Sequence, residues 1–148
     1  MKGNDLSSAP VPRIALVFEG ALAWPPGDKP DAKEFTRLMQ RGQWEAASKL
    51  MEFNERMETV IWDRSWRCSM TIDLITYAGP DRWAEAVAHR VAEHELPVHS
   101  IWATTPNLLA RKLPFMYDLV RIYDPYPQHQ LKFGGKGVYL TDPNQLGY

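Results

Sequence analysis

Five short runs rich in β-branched and other apolar residues punctuate the chain, and between most of them the apolar positions recur at helical spacing. The runs are "RIALVF" (13–18), "MTIDLITYAG" (70–79), "VHSIWAT" (98–104), "LVRIYD" (119–124) and "KGVYLTD" (136–142). Each has the composition of a strand, and the second is closed by Gly79-Pro80. From Asp31 to about Trp62 the spacing predicts two helical stretches, "DAKEFTRLMQRG" and "QWEAASKLMEFNERMETVIW", parted at Gly42. Ala47, Leu50, Met51, Met57, Val60 and Ile61 form the apolar stripe of this region and read as core. Asp81 opens an amphipathic helix to about Glu95, with Trp83, Val87 and Val91 on one face and Arg82, Glu85, Arg90 and Glu93 on the other. "NLLARKLPFMYD" is a short helix interrupted at Pro114. Helices therefore alternate with strands. The economical architecture is one α/β domain over 13–148, a three-layer Rossmann-like fold with a parallel five-stranded sheet and helices on both faces.

The polar, unpatterned residues 1–12 read as a flexible arm, and a Pro-, Gly- and aromatic-rich extension runs from about residue 125. Tyr123, Tyr126, Phe133, Tyr139 and Tyr148 are expected to offer an aromatic contact surface there. A chain of 148 residues with 45% apolar and 24% charged side chains is large enough to bury one core and too apolar to stay disordered. The net charge of −1 supplies no electrostatic footprint for nucleic acid. "RIALVF" is far shorter than the roughly 20 apolar residues of a membrane span. The opening "MKGNDLSSAPVP" lacks an apolar signal core, so a cytoplasmic protein is expected. Cys68 is the single cysteine, which rules out an internal disulfide; its place just before an apolar run predicts a buried packing role.

Ligands of parallel α/β sheets bind beyond the carboxyl ends of the strands. Four polar residues fall there in sequence: Glu19 after the first strand, Thr76 at the end of the second, Asp124 at the end of the fourth, and Lys112 leading into the fourth. Two carboxylates, a hydroxyl and an ammonium could hold magnesium and a phosphoryl group, and equally each residue could simply cap or turn the chain. His89 and His94 are five apart, which does not align them on one metal, and they read as surface residues; His99 and His129 have no recognisable second ligand. "KFGGKG" (132–137) lacks the Lys-Ser/Thr ending of a phosphate-binding loop and is expected to be a turn.

The order of "ALVFEGAL", "DLITYAG", "ARKLP" and "VRIYDP" resembles the four signature segments of the haloacid-dehalogenase-like (HAD) superfamily, most of whose members are magnesium-dependent phosphatases. Matching "EGAL" to that family's Asp-Gly-Thr-Leu puts Glu19 on the general acid–base position and Val17 on the nucleophile position. Thr76, Lys112 and Asp124 match the second, third and fourth segments, with Pro125 where a second acid is frequent. The family's chemistry runs through a covalent aspartyl-phosphate, which valine cannot form. The resemblance therefore implies a degenerate HAD-like domain without a cofactor that works by binding, as a scaffold or assembly protein with a protein partner or a second copy of itself. A sensor of a phosphorylated ligand is a variant of that reading. The alternative it leaves is a phosphatase acting on a nucleotide or a nucleic-acid end, with Mg2+ held by Glu19 and Asp124. Residues 25–70 leave room for two helices and no full lid over the site. A small stand-alone domain of this type also resembles what compact viral genomes carry, bacteriophages among them, which would place it in the host cytoplasm or the virion.

Overall fold

The computed structural model describes residues 12–147 and shows an α/β fold. In chain order the elements are β1 (Arg13–Val17), β2 (Ala23–Trp24), α1 (Lys29–Gln40), α2 (Trp44–Ser48), β3 (Glu52–Phe53), α3 (Glu55–Arg67), β4 (Thr71–Thr76), α4 (Asp81–Glu93), β5 (Ser100–Ala103), α5 (Pro106–Lys112), β6 (Leu119–Asp124), α6 (Pro127–Gln130) and β7 (Gly137–Tyr139). All five predicted strands are present. They form one parallel sheet in the order β5-β4-β1-β6-β7. β1 is central, with Leu16 level with Leu74 on one side and Tyr123 on the other.

Alternation along the strands sends side chains to two cores. Ile14, Leu16, Phe18, Ile72, Leu74 and Tyr123 face one side, where Leu38, Met57, Ile61, Trp83 and Val87 of the helices cover them. Ala15, Val17, Ile75 and Ile122 face the other, closed by Leu109, Leu113 and Phe133. Helices on both faces make the three layers. The chain passes from β1 to β4 and β5 on one side, then returns to β6 on the other, so the order reverses beside β1. Glu19 and Asp124 leave the sheet at that switch point.

The second predicted helical stretch is broken in two. Glu52 and Phe53 extend to pair antiparallel with Ala23 and Trp24, and Asn54 then starts α3 by accepting hydrogen bonds from the N–H groups of Arg56 (3.1 Å) and Met57 (3.3 Å). Three helices therefore occupy the region expected to hold two. Cys68 is exposed, against expectation, because it caps the C-terminus of α3 in a turn completed by Ser69 at φ 51° before β4 begins. "KFGGKG" lies in a 3-10 turn ahead of β7, as its composition predicts.

Of the C-terminal aromatics, Tyr123 and Phe133 are core residues, whereas Tyr126 and Tyr139 are exposed. Tyr148 and residues 1–11 of the expected arm lie outside the described residues. Residues 144–146 are tied down: Arg64 of α3 donates to the carbonyls of Leu146 (2.7 Å) and Asn144 (3.1 Å), and Leu146 is buried. At the amino edge of the sheet Arg13 pairs with Asp118 (2.8 Å) and with Asp73, which is completely buried.

Candidate functional site

The turn after β1 is set by hydrogen bonds from the N–H groups of Leu22 and Ala23 to the Phe18 carbonyl, at 3.0 and 3.1 Å. Gly20 takes φ +87° there, a conformation that a side chain resists, and an added Cβ would stand 3.1 Å from Pro125 and 3.3 Å from the Tyr126 hydroxyl. The β1 and β6 loops are thus packed against each other. This close approach brings Glu19 and Asp124 to one edge.

Glu19 sits in a cradle of donors. Its Oε2 accepts from the Thr76 hydroxyl and from the Trp83 indole N–H (2.9 Å), and its Oε1 accepts from the backbone N–H of Tyr77 (3.2 Å). The indole N–H also lies 3.0 Å from the Thr76 oxygen. Burial pushes the Glu19 carboxyl above the usual range, opposed by the hydrogen bonds from Thr76 and Trp83.

Asp124, whose side chain is 2% exposed, is held in the same manner. Its Oδ1 accepts from the N–H of Tyr126 (2.7 Å), and its Oδ2 accepts from the Tyr77 hydroxyl (2.7 Å) and faces Nδ1 of His129 (2.9 Å). Burial, and then the bond to Asp124, push the Tyr77 phenol far up, so it remains a donor. Tyr77 links the two acids, through its N–H to Glu19 and its hydroxyl to Asp124. Beside them opens a cavity of about 400 Å3 lined by Glu19, Tyr77, Pro106, Tyr126, Gln128 and His129.

No family model, curated protein or solved structure matches the chain. The site is therefore read from its own atoms. Glu19, Thr76 and Asp124 converge at the switch point. Lys112 does not join them: it is exposed in the last turn of α5, about 9 Å along the helix axis from Pro106 at the cavity wall. Among the described residues no hydrogen bond or ion pair connects Lys112 to the three. Val17 is completely buried in the apolar cluster beneath the sheet with Ile75 and Leu109.

Magnesium needs near-octahedral oxygen ligands with lone pairs free to bind it. Both oxygens of each carboxylate here already accept hydrogen bonds from the protein, three on Glu19 and, with the His129 contact, three on Asp124. Among the described residues no group of three or more His, Cys, Asp or Glu side chains is arranged to hold a metal. As folded, each of the two carboxylates would have to give up protein donors to offer the ion more than one free lone pair.

Sequence reasoning missed Tyr77, Trp83 and His129 as site residues. Trp83 reads correctly as core, yet only the fold shows its N–H meeting Glu19. For His129 the signal was faint: Pro125 and Pro127 bracket a turn tight enough to fold a residue five positions on back over Asp124.

Proposed function

We propose that this chain is a HAD-like α/β domain that keeps the switch-point loops of that fold, has lost phosphoryl transfer, and works by binding a protein partner at the cavity. One observation carries the reading: the position that would attack phosphorus is a valine sealed in the core, while both nearby acids are consumed in holding the loops together. A covalent phosphoryl-enzyme has no atom to form on. The cavity's character supports the choice of ligand. Its one carboxylate is Glu19, no Lys or Arg lines it, and its walls carry the rings of Tyr77, Tyr126 and His129, so it favours a cationic or donor-rich side chain over a phosphate.

Two measurements test this. Purified protein incubated with magnesium and a generic phosphate ester should release phosphate no faster than buffer; turnover that disappears in Glu19→Ala or Asp124→Ala would overturn the proposal in favour of a magnesium-dependent phosphatase. In heteronuclear NMR titrations, arginine amide should shift the signals of Tyr77, Tyr126 and His129, and inorganic phosphate should leave them in place. The reverse pattern would replace the cationic ligand with a phosphorylated one.

A further inference from the structure

Around α5 and the turn before β7 the fold gathers cations that the sequence scatters. Lys132, Lys136 and Tyr117 line a second concavity of about 420 Å3, floored by Gly134 and Gly135. The Lys132 ammonium is held by the side-chain oxygen of Asn107 (2.8 Å) and that of Lys136 by the Met116 carbonyl (3.1 Å). Both acceptors are neutral, so they position the charges without cancelling them. Arg111 stands one helical turn from Asn107 on the same exposed face of α5, and Lys112 follows it. Among the described residues none of these four cations forms an ion pair with a carboxylate. Asp118, which feels the charge of Lys136, is already engaged by Arg13.

Apolar rings and chains crown the same region: Phe115 is 79%, Tyr117 80% and Leu131 91% exposed. Added Cβ atoms at Gly134 and Gly135 would meet nothing within 4 Å, so the floor lies open to a ligand's approach. We propose that this face binds single-stranded nucleic acid, its phosphates lying along Arg111, Lys112, Lys132 and Lys136 and its bases stacking on Tyr117 and Phe115. A polyanion answers the uncompensated charge, and a flexible single strand also presents unpaired π-faces to exposed aromatics. The concave, lysine-edged shape suits a base entering between cations better than it suits the flat surface of a bilayer. The net charge of −1 spread over the whole chain conceals this local patch.

Fluorescence anisotropy with a labelled oligothymidylate tests the proposal on the full chain. With three to four phosphates neutralised, affinity should fall about 20- to 50-fold over a fourfold rise in salt. Lys132→Glu should weaken binding and flatten that dependence, and Tyr117→Ala should weaken binding about tenfold with the salt slope retained. Lys33→Glu, an equal charge change on exposed α1 across the sheet, is the control and should have little effect. Circular dichroism checks that the variants fold. Absence of binding at low salt, equal losses in Lys33→Glu and Lys132→Glu, or cosedimentation with phosphatidylserine vesicles in place of the oligonucleotide would each overturn the proposal.

Discussion

Replacing Asp124 with alanine separates a hydrogen-bonded brace from a metal site. The substitution removes the acceptor for three groups at once: the Tyr126 N–H, the Tyr77 hydroxyl and the His129 ring. The Tyr126 backbone lies near the surface and can regain water. Tyr77 and His129 are partly buried and regain it less easily. Leaving a buried donor unpaired costs about 1–3 kcal/mol, and losing bonds to an ionised acceptor adds roughly another 1 kcal/mol, for a total of about 3 kcal/mol. For a domain of this size that is a fall in Tm of roughly 6–12 °C. Asp124→Asn keeps one carbonyl oxygen and should lose about half as much. Urea unfolding with and without millimolar magnesium is the assay. A metal site behaves oppositely: its acids repel one another in the metal-free protein, so removing one is neutral or stabilising, and magnesium raises the stability of the unaltered chain by mass action. If Asp124→Ala is as stable as the parent, or magnesium stabilises only the parent, the brace argument is refuted.

The Glu19 carboxyl titrates higher folded than unfolded, so over that interval the folded state binds more protons. The stability it contributes is full below the unfolded pKa near 4.5 and declines as pH rises toward the raised folded value. Glu19→Gln should abolish that decline, gaining on the parent between acid and neutral pH in urea titrations; parallel pH profiles would contradict the assignment. Arg13→Ala leaves the fully buried Asp73 without its cation and should cost about 3 kcal/mol by the same assay, a loss that Asp73→Asn in the same chain should partly recover. Gly20→Ala forces a side chain into φ +87° against Pro125 and should cost about 1–2 kcal/mol while moving the Tyr126 signals in NMR spectra; an unchanged spectrum would show that the two loops are not in contact.

The sheet was legible because its strands are dense in Val, Ile and Leu and are separated by amphipathic helices, a pattern that few architectures satisfy. Glu19, Thr76 and Asp124 were legible for a topological reason: residues just past parallel strands must share an edge. What escaped depends on contacts between distant residues. Cys68 looked buried because periodicity near a strand cannot show that the helix before it ends in an exposed cap. Phe53 looked helical because its pairing with Ala23 is decided thirty residues away. Lys112 has the right order in the chain, but α5 carries it away from the cavity. His129 and Trp83 were invisible as site residues for the converse reason, since nothing local marks the carboxylate each one meets.

The most direct examination of the central idea is a magnesium titration followed by the side-chain carboxyl 13C shifts of Glu19 and Asp124. Acids that stay with their protein donors should show no saturable change up to millimolar metal. A saturable shift of both carboxyls together would mean that they open to share a cation, and the account of a brace without a reaction centre would be wrong.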